Sequence, residues 1–107
     1  MALTRSFKET VKSRVQRDKK FRVALFQEAA EPFLRGEIEL GKTLLRDFVN
    51  ATIGFSELAE SLGKSPKSLM RMLSASGNPR AEILFAILAH LQESEGVELC
   101  VTSERAG

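Results

Sequence analysis

The sequence predicts an all-α bundle with a helical N-terminal extension and one short C-terminal β-strand, and three observations carry that prediction. Apolar residues recur at helical spacing through the first half: Phe7, Val11 and Val15, then Phe21, Leu25, Ala29 and Phe33, then Ile38, Leu40, Leu44, Leu45, Phe48 and Val49. Residues 55–74 hold two short helical patterns hinged on Gly63. Near the end, Val97, Leu99 and Val101 alternate with Glu98, Cys100 and Thr102, which is the period of a strand. A chain of 107 residues holds one globular domain, which divides into a helical extension (1–35), a core (36–95) and a strand with its tail (96–107).

The first helix is expected from about Ser6 to Arg17, with basic residues on its outer faces, and Asp18 is placed to cap the second. Pro32 is expected to kink or shorten that second helix near its end, and Gly36 separates it from a third ending near Asn50. Thr52 to Gly54 turns the chain into the central pattern. There Leu58, Ala59, Leu62, Leu69, Met72 and Leu73 face inward together only if two helices cross steeply after a very short turn, the layout of a helix-turn-helix. Gly63 stands where the chain leaves the first of these helices, a position that favours the left-handed backbone glycine adopts freely. Ser65 and Pro66 read as the N-cap and first-turn pair of the second. Ser74 to Pro79 reads as a loop, followed by a helix from Pro79 or Arg80 that buries Ile83, Leu84, Ile87, Leu88 and Leu91 and stops at Gly96. The terminal strand has unpaired edges, so its expected mate is the same strand of a second copy or an N-terminal segment such as Ala2 to Thr4.

Composition narrows the function classes. The longest apolar stretch, Ile83 to Leu91, is interrupted by His90 and is far shorter than the ~20 residues of a membrane-spanning helix. Arg5 and Lys8 precede no apolar run of the kind a signal peptide needs, so a cytoplasmic protein is expected. Cys100 is the sole cysteine, which excludes an internal disulfide and a cysteine-based zinc cluster. The formal net charge is only +2, but its distribution is uneven. Residues 1–22 hold eight basic against two acidic residues, and residues 63–80 hold four basic and no acidic ones. Residues 23–62 hold three against seven, and residues 81–107 one against five. Positive charge is therefore concentrated at the N-terminus and in the helix-turn-helix.

Within that segment, Lys67 and Arg71 lie four apart on one face of the second helix, with Ser68 beside them. The first two turns of this helix are the ones that reach base edges when it enters the major groove. Arg71 is the expected base reader, since its planar fork bonds both acceptors on a guanine edge. Lys67 is expected to read a base or hold a phosphate. Asn78 and Arg80, with the backbone amides that open the next helix, are placed on phosphates. Lys64 is a peripheral phosphate contact, and Ser65 combines its cap with a secondary phosphate role. Met70 and Met72 are expected to pack, with Met70 in reach of a thymine methyl.

Gly36 to Thr43 satisfies the expression G-x-x-x-x-G-K-T of a nucleotide-binding loop. Such a loop follows a buried strand and curls its amides around phosphate, whereas here a helical, polar segment precedes it and Glu37 and Glu39 set negative charge beside the phosphates. Ile38, Leu40 and Leu44 instead continue a helix, so no enzyme, cofactor or metal is expected. His90, the only histidine, and Cys100 lack partners at catalytic or ligand spacing.

The pattern over residues 55–74 resembles the lambda-repressor-like (XRE-type) helix-turn-helix family, through Leu58 and Ala59, Leu62 before Gly63, and Leu69 and Met72. With Leu44-Leu45-Arg46-Asp47, Lys67 to Leu73, Gly77-Asn78-Pro79 and the helix that follows, about residues 18–103 look like the HigA-like antitoxins, the "addiction module antidote" proteins encoded beside a RelE-like toxin. The resemblance is strongest from Ser65 to Leu91. It implies a bacterial cytoplasmic protein that binds its own promoter as a homodimer, represses transcription and sequesters a toxin that cleaves messenger RNA. Two departures stand out: Pro66 occupies a position where many relatives carry a polar base reader, and the basic helix from Ser6 to Lys20 is an extension. The expected function is thus sequence-specific binding of double-stranded DNA, with a free-standing repressor and a toxin-binding module that does not read DNA as the alternatives.

Overall fold

A computed structural model describes residues 5–106, with side chains from residue 9 to residue 106. Among the described residues six helices follow one another: α1 Arg5–Arg17, α2 Lys19–Leu34, α3 Ile38–Ala51, α4 Gly54–Leu62, α5 Pro66–Met72 and α6 Ala81–Glu95. Asp18 alone separates α1 from α2. Its backbone is extended and its carboxylate accepts from the Phe21 amide at 3.1 Å, so it caps α2 as its position in the sequence suggests. The Arg14 guanidinium lies 4.2 Å from the centre of the Phe21 ring and 3.6 Å from the Asp18 carboxylate, which closes the joint with one cation. Pro32 sits in the last turn of α2, where its carbonyl accepts from the amides of Arg35 and Glu37, and the helix ends at Leu34.

Helices α2 to α6 share one core, and Val15 of α1 is also buried. Phe26, Leu45, Val49, Leu58, Leu69, Leu73, Ile87 and Leu91 are fully buried in it. The rings of Phe26 and Phe48 stack with centroids 5.2 Å apart, joining α2 to α3. The helical extension is therefore continuous with the core, since α2 supplies Phe26 and Ala29 to it.

Two expected apolar stripes are rotated. On α2 the deepest residues are Phe26, Ala29 and Pro32, while Phe21, Leu25 and Phe33 are only partly buried. On α3 the inward face is Gly41, Leu45, Phe48 and Val49, and Ile38 and Leu40 are 43% and 45% exposed. The cause is the approach of α2 to α3 at Gly41, where an added Cβ would lie 2.6 Å from Cζ of Phe33. The ring lies over that bare backbone, which turns Gly41 rather than Leu40 toward α2.

The expected C-terminal strand is not formed. Residues 97–106 carry no regular structure, and no strand occurs among the described residues. The Val97 amide donates to the Gln92 carbonyl at 3.0 Å, and the Leu99 amide to the Gln92 side-chain oxygen at 2.8 Å. Backbone donors that a ladder would need are thus taken by the end of α6. Val97 and Leu99 pack on the core, whereas Glu98, Cys100 and Val101 are exposed. The alternation is that of a segment lying along a helical surface. One expected mate, Ala2 to Thr4, lies outside the described residues, as does the side chain of Phe7. No helix among the described residues is long and apolar enough to cross a membrane.

Candidate nucleic-acid interface

The central pair of helices is set by local chemistry at both ends of its turn. Gly63 closes α4 in the left-handed conformation (φ 65°, ψ 34°), with the Lys64 amide reaching the Ala59 carbonyl at 2.9 Å and its own amide reaching Glu60. Ser65 then opens α5 with extended backbone, and its hydroxyl accepts from the Ser68 amide at 3.1 Å. Pro66 is the first residue of α5. Leu58, Ala59, Leu69 and Leu73 are buried, and Leu62 and Met72 are half-buried against them, so the inward set of the two helices meets in the core.

This arrangement leaves the opposite side of α5 in solvent. Lys67, Met70 and Arg71 are exposed and Ser68 is half-buried. Met70 therefore stands among the outward polar residues rather than packing. Lys64, Ser65, Asn78 and Arg80 are also exposed, and Arg80 occupies the N-cap position of α6 without a side-chain cap bond. The side chains of Lys64, Lys67, Arg71, Asn78 and Arg80 make no hydrogen bond or ion pair among the described residues. Lys64 and Arg80 come together from different elements, lining one shallow groove with Leu62, Glu82, Ile83 and Ala86. Glu82 tempers that groove: a carboxylate just beyond the acid-free stretch makes it less positive than residues 63–80 alone suggest.

The segment after α5 is held by two cations of α3. The Lys42 ammonium is buried and donates to the carbonyls of Ser74 at 2.9 Å and Gly77 at 2.7 Å, with the Glu39 carboxylate at 2.8 Å as its third partner. These three acceptors match its three protons. One turn later the Arg46 guanidinium donates to the Leu73 carbonyl at 3.2 Å. Both cations thus serve carbonyls at or just beyond the C-terminal end of α5, where helical carbonyls lack partners and cations are favoured. Gly77 completes the fit, because an added Cβ there would lie 2.1 Å from the Arg71 carbonyl oxygen. The loop from Ser74 to Gly77 is consequently fastened to α3 on one side and to the end of α5 on the other.

Lys42 is also the lysine of the nucleotide-loop expression, and its structural use differs entirely from phosphate binding. Gly41, Lys42 and Thr43 are helical, the Gly41 amide donates to the Glu37 carbonyl at 3.0 Å, and Thr43 Oγ1 donates to the Glu39 carbonyl. The Gly36 and Glu37 amides are likewise bonded to the carbonyls of Phe33 and Pro32, so they do not curl around a phosphate. Sequence reasoning missed Lys42, Arg46 and the packing of Gly77. The available signal was the register of α3: Lys42 stands three residues before Leu45, and Arg46 three before Val49, which puts two cations beside an inward face. No protein family, curated protein or solved structure matches this chain.

Proposed function

We propose that this chain binds double-stranded DNA through α5 and the segment after it, as a cytoplasmic homodimer that represses transcription. The observation that carries the reading is a set of unpartnered cations on a stretch free of carboxylates. Lys12, Arg17, Lys19 and Lys20 are also exposed without partners among the described residues, but with Asp18 in their midst. Arg22, Lys42 and Arg46 are engaged with acceptors inside the fold, whereas Lys64, Lys67, Arg71 and Arg80 are exposed, without partners among the described residues, and gathered within residues 63–80 where no carboxylate occurs. Cations left in that state on one short stretch suit a polyanion, whose condensed counterions they displace. Arg71 and Lys67, one turn apart on α5, are the base-reading pair, and Lys64, Asn78 and Arg80 are phosphate contacts. Two copies would set their α5 helices about 34 Å apart, matching successive major grooves on one side of the duplex.

The antitoxin role is the fuller form of this proposal. It draws on the likeness of residues 18–103 to HigA-like antitoxins and on the acidic balance of residues 23–62, where Glu28, Glu57 and Glu60 are exposed to a basic partner such as a RelE-like toxin. A free-standing repressor differs only in lacking that partner. The test is enrichment of duplexes from a random pool by the full chain, followed by titration of the enriched duplex over a salt series. A shared sequence with steeply salt-dependent affinity is the expected result. Equal binding of enriched and random duplexes would overturn sequence-specific reading, and no binding at low salt would overturn DNA binding itself.

A further inference from the structure

Lys42 is the most deeply buried cation among the described residues, and two of its three partners are carbonyls of the segment after α5. It touches neither the outward face of α5 nor the groove of Lys64 and Arg80. Its ammonium instead joins Ser74 to Gly77, the two ends of the loop between α5 and the residues that precede α6. Within that loop the Gly77 amide donates to the Ser74 carbonyl at 3.0 Å, and the Ser74 hydroxyl to the Arg71 carbonyl at 2.6 Å. The same ammonium therefore sets where the chain goes after Gly77, which is directly into Asn78, Pro79 and Arg80. Two hydrogen bonds from one buried charge hold the loop at both its ends, and losing the ammonium would take from the Gly77 carbonyl its donor and from the Ser74 carbonyl one of two.

We infer that Lys42 is a positioning residue for DNA binding: it fixes Asn78 and Arg80 relative to α5, so that phosphate contacts and base contacts fall on one duplex in register. This rests on the DNA-binding reading given above. The role is geometric rather than electrostatic. The Lys42 charge is spent on internal acceptors, and Glu39, at its third proton, is itself largely exposed. Glu39→Gln keeps an oxygen acceptor at that exposed position, so both carbonyl contacts are expected to persist in it.

The test uses the full chain as native protein and as Lys42→Gln, Lys42→Arg and Glu39→Gln, each with and without Arg80→Ala, on the enriched duplex. Lys42→Gln is expected to lower the slope of log affinity against log salt by about 1, as when one phosphate contact is lost. Lys42→Arg, which still donates to two carbonyls, restores most of it, and Glu39→Gln binds as the native chain does. Losses from Lys42→Gln and Arg80→Ala should not multiply, because the first already misplaces the group that the second removes. Multiplying losses, or an unchanged slope, would mean that Lys42 supports the fold alone and overturn the inference. A second measurement needs no DNA. In Lys42→Gln the Gly77 amide, which is bonded to the Ser74 carbonyl, should exchange with solvent at least about tenfold faster, while those of Leu45 to Val49 keep native rates. Unchanged exchange at Gly77 overturns the clamp. If the native chain binds no duplex while Gly77 exchange rises, the clamp stands as a structural fact and the positioning role falls with the DNA reading.

Discussion

The Arg22 guanidinium holds the Glu95 carboxylate with both arms, Nε to one oxygen at 2.5 Å and Nη2 to the other at 2.7 Å, across 73 residues of sequence. The pair ties the first turn of α2 to the last turn of α6. The Glu95 side chain is almost wholly buried and Arg22 is mostly so, which makes this the longest-range ionic link among the described residues. Removing only the arginine leaves a buried carboxylate without its cation. Arg22→Ala is therefore expected to destabilise the fold by about 3 kcal/mol, read as a lower denaturant midpoint at unchanged slope. Arg22→Lys keeps the charge but loses the fork that serves both oxygens, and should fall between the two. A midpoint for Arg22→Ala equal to native would show that desolvation already cancels the pair.

Gly63 and Gly77 are needed for different reasons, and the two alanine variants should separate them. At Gly63 the space for a Cβ is open but φ is positive, so Gly63→Ala meets only a backbone penalty of about 1 kcal/mol. Asparagine, which tolerates that conformation, should cost less still. At Gly77 the neighbours are the carbonyl oxygens of Arg71 and Met72 at 2.1 and 2.5 Å, and main chain cannot step aside as a flexible side chain does. Gly77→Ala must shift the loop from the end of α5, at a cost of roughly 2 to 3 kcal/mol. Thermal denaturation of both variants checks the order, and a larger loss at Gly63 would contradict it.

Ser65 offers a way to separate helix stability from binding. Ser65→Ala removes the acceptor for the Ser68 amide and should cost about 1 kcal/mol. Aspartate at the same position restores the cap but places a negative charge on an exposed site between Lys64 and Lys67. Ser65→Asp is thus expected to melt near the native temperature and to bind duplex more weakly than Ser65→Ala. Parallel loss of melting temperature and binding in both variants would assign Ser65 to the fold alone.

What could be read in the sequence is what local chemistry decides. Asp18, Ser65 and Gly63 act on residues within five positions of themselves, so their roles follow from spacing alone. The choice of face depends on what arrives from elsewhere in the chain. Phe26 rather than Phe21 is the deepest residue of α2 because Phe48 of α3 stacks on its ring, and nothing in residues 19–34 encodes that partner. Lys42 was hidden for the same reason: its acceptors lie 32 and 35 residues away, on carbonyls that any residue type supplies. The alternation at Val97 and Leu99 misled in the opposite sense. Period two reports that alternate side chains are covered, and here the cover is a helical core rather than a neighbouring strand. The exposed cations of residues 63–80 were legible because charge density survives any fold that keeps them in solvent, while Glu82 was missed because only the fold brings it into the groove.

Arg71 and Arg80 carry the distinction between reading and holding. Both are exposed, but Arg71 projects from the last turn of α5 and Arg80 stands at the N-cap of α6, beside Lys64 and Glu82. A guanidinium on the helix that enters the major groove meets base edges, which differ from pair to pair, whereas one at the flank meets phosphates, which do not. Arg71→Ala should therefore cost about 1 to 3 kcal/mol on the enriched duplex and relax preference at one base pair, with little change on random duplex. Arg80→Ala should weaken enriched and random duplexes by the same factor and lower the salt slope by about 1. Titration of each variant against both duplexes decides the assignment. If Arg71→Ala lost equally on both, Arg71 would be a phosphate contact, and base reading would have to pass to Lys67 and Ser68.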